Sequence, residues 1–532
     1  MANISRCDLV SGSNICSKLA GNKLLAQVIR TVLLAFLAMM PSLMAIADEH
    51  VRALRVAVST RPPGLGNPYS SIPIGAINPN HVLYDALTLI GDKGVVLPSL
   101  ALSWEPEAGA SWVFRLRPGV VFSNGEPFTA DTVVAVIEYL RSENAARYPV
   151  AIETAVINYA EAVDPLTVRI TTTKPDALLP KRMSFVFMIP MKYWNEVGVD
   201  GFGLNPAGSG PFKVKDWGQT TGTYIFERNP SSWRTSEYFD ELHFTGVVDV
   251  VSRAQTLISD QVDLSFKLSL DLLVDLESQG YQTLARQTYS IGAWAFRQID
   301  PDSPLADTRV RRALNLAIDR KKIAETILSG VTSPVSQVAT SDVYGFNPNL
   351  PLFPYDPAAA RALLVEAGYG AGIKLEAIVR SDPSVPEQIL IGQVVAQNLA
   401  EIGLDVKLNQ IPGQRWLGHY FSGDWGGAHI LETSFNNTIH GDVIRSIETA
   451  SCLKAGAFYC KEEMLPLIEA SNREFDPAIR QKMLQELVAA LHNDPPAIYL
   501  FPYFDTLAYS PMLDELPMTG ARINLEGIGM KQ

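Results

Sequence analysis

The stretch LADTRVRRALNLAIDRKKIAETILSG, residues 305–330, is the one from which the fold can be read outward. Asp307 or Thr308 offers a short side-chain oxygen to a free backbone N–H and so can cap a helix. Val310, Ala313, Leu314 and Ala317 then recur at i, i+3, i+4 and i+7, which makes one apolar stripe. Asp319 can start a second helix that carries Ile323, Ile327 and Leu328 and stops at Gly330. Arg309, Arg311, Arg312, Arg320, Lys321 and Lys322 mostly fall off that stripe, so a basic, solvated helix face is expected.

Around this stretch lie 532 residues, too many for one ordinary core and enough for two or three lobes. Charged residues make up 19% and hydrophobic ones 47%, a globular composition. The formal net charge of −12 argues against nucleic acid, which needs a basic footprint on its partner. The N-terminus differs from the rest. Lys18, Lys23 and Arg30 precede the apolar run TVLLAFLAMMPSLMAIA, residues 31–47, which ends in a small-x-small site at Ala45-Ile46-Ala47. The run is 17 residues long and contains Pro41, short for a span of about 20 residues, so residues 1–47 are expected to be a cleaved signal peptide. Four basic residues and one acidic residue leave with it, and −12 becomes −15.

Downstream, residues 51–59 alternate like a strand, and residues 61–71 form a Pro/Gly-rich loop. SWVFRLR (111–117) is a half-buried strand, Asn124-Gly125 a hairpin signal, and Thr129 a cap for the helix that follows. Residues 164–173 read as one strand. Asp356-Pro357 opens a helix that ends at Gly368, and Asp476-Pro477 opens a longer one. A strand at 375–379, an amphipathic helix at 388–402 and a strand at 404–409 suggest parallel pairing in an α/β lobe. AIYLFPYF (497–504) is a near-continuous apolar strand, as expected for burial on both faces.

Several of these segments are familiar. Residues 305–330 resemble the D-x-R-V-R-x-A-L-x-x-A-I-D-R signature of the extracellular solute-binding proteins of family 5, the peptide- and nickel-type receptors of ABC importers. HVLYDALTLIGDKGVVLPSLALSWEPE (81–107) is similar to that family's Y-D-x-L … G … P-x-L-A-x-S-W segment. FRLRPGVVFSNGEPFTADTV (114–133) resembles its F-x-L-R-x-G-V-x-F-x-x-G-x-P-F-T-A-x-D-V block. NPAGSGPFK (205–213), with Ser209 for threonine, and ERNPSSW (227–233) are similar to P-V-G-T-G-P-Y and R-N-P-x-Y-W. The resemblance implies an α/β, two-lobed periplasmic binding protein fold, type II and of the large peptide-receptor kind, with hinge-linked lobes and a cleft between them. Lobe I would be 48–290 with an inserted subdomain at about 90–207, lobe II 291–499, and 500–532 a return to lobe I. Strands near 289–296 and 498–501 would cross as the hinge. Implied partners are a peptide or other small solute and an inner-membrane permease with its ATPase subunits. The protein is expected to be periplasmic and monomeric, with no cofactor.

A cleft of this kind needs a polar anchor and an apolar lining. Arg380, in IVRSDPSVP, resembles the arginine that holds a ligand carboxylate in dipeptide receptors, and a guanidinium suits that task. The family's G-W-x-x-D segment, whose aspartate pairs with a peptide ammonium, is replaced by Glu432-Thr433-Ser434-Phe435-Asn436. Asn436 is neutral, so Glu432, Asp424 or Asp442 would have to substitute, or the solute lacks an ammonium group, as a sugar or opine-like compound does. Trp294, Trp416, Trp425 and Tyr84 could stack on the solute, and each fits a core position equally. No HExxH, P-loop or CxxC motif is present, and the Gly208-Ser209-Gly210 turn is no nucleophile elbow. His419, His429 and His440 have no metal-ligand spacing, so no metal is assigned. The expected function is an exported receptor that delivers oligopeptides to a permease without covalent chemistry. The alternatives are a receptor for a non-peptide solute and an exported hydrolase.

Cys7 and Cys16 precede the apolar run, which leaves Cys452 and Cys460 as an even pair in an exported chain, read as a disulfide rather than two thiols. So short a loop stabilises by roughly 2–3 kcal/mol in the chain-entropy model. Thiol titration of the secreted protein under denaturing, non-reducing conditions should therefore find no free thiol.

Overall fold

Alternating and continuous apolar runs in this chain assemble into one mixed sheet of ten strands. They are β1 (Ala53–Val58), β2 (Phe212–Asp216), β3 (Thr223–Arg228), β4 (Glu241–Gly246), β5 (Leu264–Phe266), β6 (Gln282–Phe296), β7 (Ile373–Ser381), β8 (Leu404–Pro412), β9 (Ile430–Asn436) and β10 (Ala497–Tyr509). Their order across the sheet is β8-β7-β9-β6-β10-β5-β1-β4-β3-β2. The computed structural model describes residues 51–531 apart from 61–63, 73–74, 108 and 382–385. The expected signal segment, with Cys7 and Cys16, lies outside the described residues. No helix among the described residues is long and apolar enough to cross a membrane.

β7 and β8 pair in parallel, joined by the helix Pro386–Glu401, as the strand–helix–strand order requires. β1 lies parallel to both β4 and β5. Between these two parallel groups run the two longest strands, β6 and β10, antiparallel from Gln282 opposite Tyr509 to Ala295 opposite Ala497. Their register shifts between Gln287 and Ala293. One hydrophobic core, containing Val56, Phe114, Phe226 and Phe244, lies on the β1 side of this pair. Two others, around Leu431, Leu487 and Tyr499 and around Val310, Leu314, Leu375 and Leu399, lie on the β7 side. Two lobes result, each with its own core and both tied to β6 and β10.

Residues 164–173 depart from the expected single strand. Asp164 ends the strand Ile157–Asp164, and its Oδ1 accepts the Leu166 N–H at 2.8 Å, which turns the chain into the strand Thr167–Thr172. The two strands form part of a separate four-stranded sheet with Ala101–Glu107 and Ser111–Leu116. The Gly208-Ser209-Gly210 segment owes its glycines to crowding: a Cβ at Gly208 would lie 2.0 Å from the Leu83 carbonyl oxygen. Cys452 and Cys460 are joined by a disulfide, with their Cα atoms 4.9 Å apart.

The helices of the 305–330 stretch start where they were read, at Thr308 and Arg320, and the second ends at Thr326, short of Gly330. Asp307 accepts the Arg309 N–H at 2.7 Å, and Asp319 accepts the Lys322 N–H at 3.0 Å. The expected solvated basic face is only half right. Arg309, Lys321 and Lys322 are exposed, but Arg311 and Arg320 are buried. Arg311 donates to the carbonyls of Pro495 (3.0 Å), Leu305 (2.7 Å) and Ala306 (2.8 Å), and also pairs with Asp494. Arg320 donates to the Tyr499 carbonyl at 2.6 Å and the Asn315 carbonyl at 2.8 Å. A guanidinium carries five N–H donors in one plane, so a ring of carbonyls can replace its water.

A second buried ionic group joins the segment before β2 to the loop after β9 and to the helix Pro477–Asn493 that precedes β10. Lys181, on the short helix Leu179–Arg182, donates to Asp442 at 2.9 Å, and Arg480 donates to the same carboxylate at 2.7 Å. Burial alone would raise the pKa of Asp442, but Arg480 and Lys181 hold it well below the ordinary carboxylate value of 3.8. The folded value lies below the unfolded one. The stability it contributes is complete above pH 5 or so and is lost as pH falls below about 4. Asp442→Asn leaves two buried cations uncompensated and should cost about 3–5 kcal/mol at pH 7 in urea titration, with a smaller difference from wild type at pH 3.

Candidate functional site

The C-terminal ends of parallel strands are where α/β sheets leave room for a ligand. β1, β5 and β7 end beside the β6–β10 crossing, and a cavity of about 520 Å³ lies there. From the first lobe it is lined by Val58, Ser59 and Thr60 at the end of β1, by Ile77, Asn78 and Asn80, and by Phe266 and Lys267 at the end of β5. The second lobe contributes Arg380, Glu387, Ile391, Glu432, Ser434 and Asn436. The floor comes from β6, with Ser290, Gly292 and Trp294, and from β10 between Leu500 and Thr506. Apolar walls with interspersed hydroxyls, amides and a few charges suit a small organic solute.

Arg380 sits next to last in β7 and is tightly engaged. Its N–H donates to Glu432 Oε2 at 2.7 Å, its guanidinium lies 3.5 Å from Glu432 Oε1, and it donates to the Tyr503 hydroxyl at 3.2 Å. The guanidinium lies over the Trp416 ring, 4.7 Å from its centroid, and Trp416 Nε1 donates to the Glu432 carbonyl at 2.6 Å. Burial pushes the Tyr503 phenol up to about 12, so it remains a neutral hydrogen-bonding group. Asn436 lines the cavity, and its Oδ1 accepts the Thr438 N–H at 3.0 Å. Trp294, opposite Glu432 in the sheet register, forms part of the floor.

The structure therefore brings Arg380, Glu432, Asn436 and Trp294 to one cavity, with Trp416 behind Arg380. Trp425 and Tyr84 are elsewhere. Trp425 is buried in the second lobe near Phe458 and under Arg297. Tyr84 is buried in the first lobe, where its hydroxyl donates to the Gly66 carbonyl. Both were candidates for the lining or for a core, and packing claims them for a core. Among the described residues no group of three His, Cys, Asp or Glu side chains could hold a metal ion.

Sequence reasoning missed Tyr503, Asp505, Lys267 and Glu387. Asp505 carried a signal, as a lone carboxylate after the apolar run 497–504, and one of its oxygens accepts the Ala76 N–H at 2.9 Å. Burial raises its pKa above the ordinary value.

Residues 95–431 match the family described as bacterial extracellular solute-binding proteins, family 5. The chain belongs to this family. It is 28% identical over 342 residues to heme-binding protein A of Haemophilus influenzae, covering 59% of this chain and 61% of that protein. The match thus spans about three-fifths of that relative's length. It is 23% identical over 439 residues to the dipeptide-binding protein of Escherichia coli, covering 76% of this chain and 80% of that one. A dipeptide-binding protein from Pseudoalteromonas sp. SM9913, solved with Met-Leu, superposes with a TM-score of 0.75 at 20% identity, over 90% of this chain and 100% of that one. These likenesses place the fold among two-lobed solute receptors.

Gly292 leaves room for the ring that supports Arg380: a Cβ there would lie 2.6 Å from Tyr503 Cε1. Gly292→Ala should lower the unfolding free energy by about 1–3 kcal/mol in urea titration. The loss should be smaller in a Tyr503→Ala background, where the clash is removed.

Proposed function

We propose that this chain is the exported solute receptor of an ABC importer. It captures a small organic solute, an oligopeptide in the first instance, and presents it to an inner-membrane permease whose ATPase subunits do the hydrolysis. The observation that carries this reading is the cavity at the β6–β10 crossing, walled by both lobes and floored by the only strands that belong to both among the described residues. Family membership and the heme- and dipeptide-binding relatives support a binding role over an enzymatic one.

On this reading lobe I is 48–290 plus 500–532 and lobe II is 291–499. The molecule works as a monomer in the periplasm after loss of residues 1–47. The solute touches both lobes only when they are closed, so its differential affinity draws the pair shut. The register shift between Gln287 and Ala293 is where the crossing strands would flex.

A non-peptide solute is the second reading, favoured by neutral Asn436 and by the cavity's hydroxyls and amides, among them Ser290, Ser434, Thr438 and Asn78. Thermal-shift screening against peptides, sugars and heme tests both readings. A true solute at 100 times its Kd should stabilise the fold by about 2.7 kcal/mol. Small-angle scattering should show a smaller radius of gyration once it is bound. A folded protein that no small solute stabilises would overturn the receptor reading, and turnover of a bound solute would favour a hydrolase.

A further inference from the structure

The charges in the cleft do not add up to a simple cationic trap. Arg380 is the guanidinium that lines the cavity, and such a group ordinarily offers two parallel N–H bonds to an incoming carboxylate. Here Glu432 already occupies its side of the cavity. One oxygen takes the Arg380 peptide N–H at 2.7 Å, and the other lies 3.5 Å from the guanidinium. Tyr503 and the Trp416 face also lie against the guanidinium. A ligand carboxylate at this place would have to displace Glu432 or sit against it, and two carboxylates sharing one guanidinium repel each other in a site that excludes water.

Asp505 is in the opposite condition. It lies on the cavity floor, and Oδ2 accepts the Ala76 N–H at 2.9 Å. Among the described residues it makes no ion pair, although Arg286 stands opposite it in the β6–β10 register and Lys267 lines the same cavity. A half-buried carboxylate that faces a cavity without a direct ion pair gains from a cation that arrives to pair with it.

Resting on the receptor reading, we propose that Glu432 is a built-in stand-in for a ligand carboxylate and Asp505 the anchor for a ligand cation. The cleft then takes an amine- or guanidine-bearing solute that presents no free carboxylate to Arg380. Glu432 sets the charge class by repulsion and Asp505 by attraction.

Three probes of one skeleton test this by titration calorimetry on the purified protein: alanyl-phenylalanine amide, alanyl-phenylalanine and N-acetyl-alanyl-phenylalanine. The amide, a cation, should bind at least tenfold more tightly than the zwitterion, and the N-acetyl acid should not bind. Glu432→Gln, which keeps an acceptor for the Arg380 N–H, should raise affinity for the zwitterion at least tenfold relative to the amide. Asp505→Asn should weaken the amide at least tenfold, with thermal melts confirming that both variants fold. A wild type that binds zwitterion and amide equally, or variants that leave the ratio unchanged, would overturn the assignment. So would stabilisation by a neutral sugar with no binding of the amide, and in that case the receptor reading would stand. If no probe and no other solute binds, both fall.

Discussion

The structure depends on one antiparallel pairing, that of β6 with β10. It is the only place among the described residues where backbone hydrogen bonds bind the two halves of the ten-stranded sheet to each other, because the parallel groups on either side reach the centre only through these two strands. The consequence is mechanical and chemical at once. The lobes are fastened along the same strands that floor the cavity, so whatever the cavity holds bears directly on the hinge. Where the register shifts, near Gly292, the pleat cannot continue undisturbed, and the absent side chain leaves room for Tyr503 to lie across the strand and reach Arg380.

The buried arginines of the 305–330 stretch serve the same pairing from behind. Arg311 and Arg320 donate to the carbonyls of Pro495 and Tyr499, and Asn315 donates to that of Ala497 at 2.9 Å. These acceptors lie at the beginning of β10, just before it enters the cleft. A helix face that looks like surface in a linear reading is thus the clamp that sets where the crossing strand starts. The Lys181–Asp442–Arg480 group plays a comparable part at the far side, where the segment before β2 meets the second lobe. In both places buried N–H donors meet acceptors, backbone carbonyls in the one and a shared carboxylate in the other, which is what makes a buried charge tolerable.

Much of the fold was legible from sequence. The caps at Asp307, Asp319 and Asp356, the stop before Gly368 and the parallel β7–helix–β8 unit follow from short-range rules, since a cap or a stripe is decided within a few residues. The break at Asp164 escaped because Pro165-Leu166 gives a turn without glycine, and the local bond that makes it comes from the aspartate side chain. Of the site, Arg380, Glu432 and Asn436 could be named in advance because their segments resemble those that hold the ligand in dipeptide receptors, and Trp294 because an aromatic ring can line a cleft. Tyr84 and Trp425 could not be told from lining residues, because an aromatic ring at loop spacing has the same local signature whether it faces a core or a cavity.

The amino-acid sequence by itself determined the segments, their caps and, through the ordered motifs from 81 to 330, the family of the chain. Only the tertiary structure decided which charges are spent on one another. Arg380 and Glu432 are 52 positions apart and Lys181 and Asp442 are 261 apart, and nothing local links either pair. Pairing of that kind depends on which strands become neighbours and how far burial strips water from them, and both are properties of the assembled sheet.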